Sequence, residues 1–195
     1  MSRLAVFASG SGSNFQSLVN AVEEKRLDAE ISLLVCDKPE ARAVGRANYH
    51  HIPCFAFSAK AYESKEAFEK EILKKLEEYE IDYVILAGYM RLIGPTLLEA
   101  YGGRIINIHP SLLPSFPGKD AVGQALEAGV KVTGVTIHYV DAGMDTGPII
   151  AQEAVVVSEG DTRESLQKKI QQVEHKLYVN TVNQIVQSVK ESTVN

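Results

Sequence analysis

Thiols are scarce in this chain. Cys36 and Cys54 are the only two in 195 residues, and they stand too far apart for any CxxC or zinc spacing. That excludes a disulfide-stapled scaffold and points to reduced, cytoplasmic thiols. No apolar run approaches the length needed to span a bilayer, and Met1-Ser2-Arg3 leads straight into a strand pattern without signal-peptide architecture. Excess positive charge is missing as well. Twenty basic against twenty-five acidic residues leave −5, so no nucleic-acid surface is expected, though a local basic pocket for an anionic metabolite fits this balance. What is present, 45% hydrophobic and 23% charged residues, is the composition of a globular protein without a membrane-spanning part. No tract reads as a linker, so residues 1–195 are expected to form a single domain.

The most informative stretch is Asn107-Ile108-His109-Pro110-Ser111-Leu112-Leu113-Pro114. Arg104-Ile105-Ile106 before it is a short apolar run of strand type. Pro110, Pro114 and Pro117 after it forbid a regular helix or a central strand. Residues two apart in a strand point to the same side, so Asn107 and His109 should share a face where the strand gives way to a stiff loop. An amide donor beside an imidazole suits a reaction in which an oxyanion forms and a proton then moves.

The rest of the chain alternates between short apolar runs and helical periodicity. Leu4–Ala8, Ile31–Cys36, Pro53–Phe57 and Tyr83–Ala87 read as strands. Helices are expected from Phe15 through Val22, over Ala41–Asn48 and over Ser64–Tyr79, the last with Glu66–Lys70 and Glu71–Lys75 pairs on its wet face. Such alternation predicts an α/β fold: a doubly wound, mostly parallel Rossmann-like sheet with helices on both faces. Ligands then gather at the carboxyl ends of the strands, where Ser9–Asn14, Gly88–Gly94 and Asn107–Gly118 all fall. The Ser9–Asn14 turn is neither a dinucleotide fingerprint nor a P-loop. It reads either as a backbone cradle for a phosphate monoester or as a plain turn capped by Ser13 or Asn14. His50-His51 reads as a solvated connection rather than a metal site.

In the second half, Gly88-Tyr89-Met90-Arg91-Leu92-Ile93 could wall a flat heterocycle or simply pack in the core. Asp120 should cap a helix running to Ala128. Thr133–Val140 and Ile149–Val157 read as an antiparallel pair joined by Asp141–Pro148. Asp161, Thr162 and Glu164 open a last helix, with Glu164 at the third position of a capping box. Glu174 and His175 default to its solvent face, and Glu191–Asn195 to a frayed tail.

SGSGSNFQ, LAGYMRLI, RIINIHPSLLPSFPG, GVTIHYVDAGMDTGPII and QQVEHKLY, in that order, resemble the glycinamide ribonucleotide formyltransferase family of folate-dependent enzymes over nearly the whole chain. The resemblance implies the formyltransferase fold, with residues 1–100 as a ribonucleotide-binding half and residues 101–195 as a folate-binding and catalytic half. It implies 10-formyltetrahydrofolate as co-substrate, glycinamide ribonucleotide as acceptor, a role in purine biosynthesis, no metal, no membrane or nucleic-acid partner, and a monomer or homodimer. Asn107, His109 and Asp145 match the catalytic set, and Gly12, Ser13 and Asn14 the phosphate cradle, with Glu174 near the ribose hydroxyls. Lys65, Met90, Arg91, Leu92, Ile93, Asn107 and the run Val140, Asp141, Ala142, Gly143, Met144, Asp145 match the folate site. Lys65 stands where some relatives carry arginine, which keeps the charge and loses the planar fork.

On that pattern the acceptor amine attacks the formyl carbon. Asn107 donates to the resulting oxyanion, His109 protonates the departing folate nitrogen, and Asp145 tunes His109 by pairing with its imidazolium. The alternatives are another formyltetrahydrofolate-dependent transferase or hydrolase, or a non-catalytic sensor of phosphate ligands on the same fold. A sensor would need none of Asn107, His109 and Asp145.

Overall fold

Short, β-branched and apolar runs that bury both faces become strands, and the amphipathic stretches between them become the crossovers that connect parallel neighbours. The computed structural model describes residues 1–193. In chain order the elements are β1 (Ser2–Ala8), α1 (Ser13–Glu23), β2 (Ala29–Cys36), α2 (Arg42–Tyr49), β3 (Cys54–Ala56), α3 (Lys65–Glu78), β4 (Tyr83–Leu86), α4 (Pro95–Tyr101), β5 (Ile105–His109), α5 (Ala121–Ala128), β6 (Val132–Tyr139), β7 (Ile149–Val156) and α6 (Arg163–Thr193). The strands form one sheet in the order β3-β2-β1-β4-β5-β6-β7. Neighbours from β3 to β5 are parallel, whereas β6 runs antiparallel to β5 and β7 antiparallel to β6. The expected α/β architecture with its antiparallel C-terminal strand is what the chain adopts.

The alternation of strand side chains divides the core. Leu4, Val6 and Ala8 face α1, α2, α5 and α6, while Ala5 and Phe7 face α3 and α4, and all five are inaccessible to solvent. Burying a side chain such as Phe7 contributes about 1.5–3 kcal/mol, so β1 is the spine of both halves of the core. The order of strands reverses beside β1, between β2 and β4. A crevice opens there at the carboxyl ends of the strands, the usual ligand position in such sheets.

Several local expectations need correction. α4 is absent from the sequence reading, although Gly94 at its N-cap and Pro95 at its first turn are ordinary start signals. Thr162 Oγ1 accepts from Ser165 N at 3.1 Å and Ser165 Oγ accepts from Thr162 N at 2.9 Å, so Ser165 rather than Glu164 completes the capping box. The pair Glu66–Lys70 forms, but Glu71 accepts from the Tyr62 hydroxyl and Lys75 pairs with Glu78. His50 is no solvated loop residue: it ends α2 with its ring bonded to Glu23 and Gln16. α6 continues through Thr193 where a tail was expected from Glu191, and residues 194 and 195 of that tail lie outside the described residues.

Candidate active site

The first βα turn is shaped by Gly12, whose φ of 72° lies in the left-handed region. A Cβ there would stand 2.9 Å from the Ala43 Cβ and 3.0 Å from the Ala43 Cα, so α2 closes off the space a side chain would need. Gly12, not Ser13 or Asn14, occupies the N-cap, and no side chain caps α1. The first intrahelical bond runs from Gln16 N to Gly12 O. The N–H groups of Ser13, Asn14 and Phe15 precede it, with no acidic residue in the first turn. From below, Arg46 Nε donates to Ser11 O at 2.8 Å and Ala43 N to Gly10 O at 3.1 Å, which fixes the loop.

Gly10–Asn14 lines a cavity of about 690 Å³, within the range of small-molecule sites. Asn107, His109 and Asp145 line it too. Asn107 and His109 are the third and last residues of β5, so both still have strand geometry and project from one face, as the sequence predicts. Ile105, two residues earlier on that face, packs beneath α3 and α4; beyond it the face opens into the cavity.

The hydrogen bonds determine which ring and amide atoms face the cavity. His109 Nε2 donates to the Phe116 carbonyl at 2.8 Å, leaving Nδ1 to face Asp145 Oδ2 at 3.5 Å. Both ring nitrogens thus face oxygen atoms, Nε2 in a hydrogen bond and Nδ1 across a longer contact. Asp145 Oδ2 is itself held by Gly118 N at 2.8 Å. His138 Nδ1 donates to the Tyr139 carbonyl at 2.8 Å, so its Nε2 is the acceptor for Asn107 Nδ2 at 3.2 Å. His138 therefore lines the cleft and also orients the Asn107 amide, whose second N–H remains for a ligand. All of this is poorly screened, since the side chains of His109 and His138 are 7% and 3% exposed.

Asp145 arrives by a route the sequence does not display. β6 is antiparallel, so it ends beside Ile106, at the entry of β5, and Val140 N donates to Ile105 O. The Asp141–Pro148 loop must fold back across the sheet face to reach His109 at the exit of that strand. Asp145 takes a left-handed backbone at φ 56°, which aspartate tolerates better than most residues. Asp141 stabilises the loop by accepting from Gly143 N at 2.9 Å and Thr146 Oγ1 at 2.7 Å, and those bonds hold its carboxyl below the usual range.

Met90 and Met144 stand 69% and 50% exposed on the cavity walls, with Leu92 between. These soft apolar groups suit a planar ring. Arg91 does not trail into solvent: its Nε donates to Asp37 Oδ2 at 2.7 Å and its guanidinium lies over Phe68 at 5.6 Å. Glu174 lines the cavity from α6 and is 8% exposed, against its expected solvent-facing position. Among the described residues its hydrogen-bond partner is Asn14 Nδ2 at 3.5 Å, and burial pushes its carboxyl up to about 7.

Among the residues singled out in the sequence, Lys65 and Ala142 do not line the cavity. Lys65 begins α3 with its stem next to Gly94, beyond the Met90–Ile93 wall. Lys119, Arg163, Gln167 and Gln171 do line it and escaped the sequence reading. The last three lie at spacings of four residues with Glu174 three further on, one face of a helix, and that was the available signal.

Comparison with known proteins follows the same lines. The formyl transferase family profile matches residues 2–182. A phosphoribosylglycinamide formyltransferase of Bacillus subtilis (strain 168) is 58% identical over 186 residues, 95% of this chain and 95% of that protein. The human trifunctional purine biosynthetic protein adenosine-3 is 42% identical over 90% of this chain, and the match spans 17% of that longer protein. Among solved structures, glycinamide ribonucleotide transformylase 1 from Geobacillus kaustophilus superposes with a TM-score of 0.93 at 59% identity, covering 95% of this chain and 98% of that one.

Proposed function

The chain belongs to the formyl transferase family, and from that premise we propose that it transfers the formyl group of 10-formyltetrahydrofolate to the amino group of glycinamide ribonucleotide, in purine biosynthesis. The observation that carries this reading is the convergence of Asn107, His109 and Asp145 on one cavity. The Gly12 anion cradle and the methionine-bearing Met90–Ile93 segment line the same cavity. The ribonucleotide phosphate rests on the N–H groups of Ser13 and Asn14, with Glu174 accepting from the ribose hydroxyls. The pterin lies against Met90–Ile93 and Val140–Asp145. Both halves of the chain contribute to both ligands.

The chemistry needs no covalent enzyme intermediate. The free amine of the ribonucleotide attacks the formyl carbon, and the carbonyl oxygen of the tetrahedral adduct becomes negative. The Asn107 Nδ2–H not used by His138 donates to it, an interaction stronger in the adduct than in the flat formamide. The folate nitrogen cannot leave as an anion and must take a proton. His109 Nε2 is committed to Phe116, so the proton comes from Nδ1, whose other neighbour is Asp145. Asp145 stabilises the charged ring before the transfer and receives, directly or through the ring, the proton shed by the attacking amine. Collapse of the adduct then breaks the carbon–folate bond and leaves formylated ribonucleotide and tetrahydrofolate.

The test is an assay of purified protein with 10-formyltetrahydrofolate and a panel of amines. Formyl transfer to glycinamide ribonucleotide alone is expected. Hydrolysis of the folate without an amine, or equal transfer to other amines, would overturn the proposal.

A further inference from the structure

The Met90–Gly94 wall has no helix or strand of its own, yet its shape decides what can lie against it. Three side chains outside the cavity hold it. Ser9 Oγ accepts from Met90 N at 2.9 Å, Asp37 Oδ2 from Arg91 Nε at 2.7 Å, and Glu69 Oε2 from Gly94 N at 2.9 Å. Asp37 follows β2 and Glu69 lies on α3, so the wall is gripped from two separate crossovers. Neither carboxylate lines the cavity.

Both are buried, Asp37 at 5% and Glu69 at 2% exposure, and among the described residues the second oxygen of each, Asp37 Oδ1 and Glu69 Oε1, is buried without a hydrogen-bond partner. Burying a half-satisfied carboxylate opposes folding, and an apolar residue at either place would pack at no such cost. Burial pushes the Glu69 carboxyl up, while the Gly94 N–H and Lys65 pull it back. Nothing in the transfer chemistry uses either group. What they share is the segment between Arg91 and Gly94, the part of the wall whose backbone lacks sheet or helix bonds.

We propose that Asp37 and Glu69 are positioning residues for the folate: held behind Met90–Gly94, they fix that backbone against the pterin and so set affinity for the folate and not for the ribonucleotide. This rests on the reading of that wall as the folate site. Without Glu69 the Gly94 N–H loses its acceptor, and without Asp37 the Arg91 guanidinium swings free of Phe68. Either change lets the wall relax while the Gly12 turn, held by Arg46 and Ala43, stays as it is.

Calorimetry with each ligand alone tests this on Asp37→Ala, Glu69→Leu and the conservative Asp37→Asn and Glu69→Gln. The first two should weaken 10-formyltetrahydrofolate binding about tenfold, as expected for a lost charge-assisted hydrogen bond, with glycinamide ribonucleotide binding changed less than about twofold. Glu69→Gln still accepts from Gly94 and should recover most of the affinity. If the truncations do not fold, Asp37→Asn carries the test, with folate binding alone weakened by roughly threefold. Equal weakening for both ligands, or unchanged folate binding in a folded variant, overturns the proposal. Failure of the unsubstituted protein to bind the folate would instead overturn the reading on which it rests.

Discussion

Glu174→Gln offers a test that needs no substrate. The folded protein holds this carboxyl up near 7 through burial, against an ordinary value of 4.5. Between those values the folded state binds more protons than the unfolded one, so stability falls as pH rises through the window. The contribution is fully present below about 4.5 and gone above about 7. The gap from 4.5 to about 7, at about 1.36 kcal/mol per pH unit, amounts to about 3 kcal/mol. The Asn14 amide, 3.5 Å away, pulls the carboxyl down without overcoming that burial. Glutamine has nearly the same shape and never ionises. Urea unfolding of both proteins at intervals from about pH 4.5 to about pH 8 isolates the term, because every other titrating group cancels in the comparison. The variant should gain on the parent by about 3 kcal/mol across that range. A difference that stays flat with pH would show that Glu174 is solvated after all, and would remove the physical basis for its buried place in the cavity lining.

Gly12→Val should weaken ribonucleotide binding at least tenfold by calorimetry, roughly the effect of a left-handed backbone strain of 1–2 kcal/mol plus the collision with Ala43, and should affect the folate less. The reverse order would move the phosphate elsewhere. Tyr178→Phe tests the link between α6 and the strand ends. Its buried hydroxyl faces the carbonyls of Leu86 at 2.7 Å and Ile106 at 3.1 Å, so thermal or urea unfolding should report a loss of about 1–2 kcal/mol. An unchanged stability would make that contact incidental.

Elements whose pattern is local were legible in the sequence. Leu4–Ala8 and Ile31–Cys36 are continuous apolar runs, Ser64 and Asp120 are strong caps, and Asn107 and His109 sit two apart before a proline, so each declares its geometry within a few residues. Features that depend on which elements become neighbours were not. Glu174 reads as a surface residue until α6 is seen packed on α1, where Asn14 meets it. The bond from Asn107 to His138 exists only because β6 pairs antiparallel with β5 in that register. Asp37 and Glu69 carry no motif, and their role depends on a wall contributed from a third part of the chain. The α4 helix was missed for a different reason. Its seven residues follow a glycine and begin with proline, and its apolar positions are too few to show a period.

The central claim concerns His109, and His109→Ala measured for turnover and binding together addresses it most directly. Steady-state transfer should fall by about 10²–10⁴, the range of a lost general acid, while calorimetry returns an unchanged ribonucleotide affinity, because His109 lies on β5 and the cradle on the β1–α1 turn. Turnover within a few-fold of the parent, with the variant folded and both ligands bound, would contradict the account.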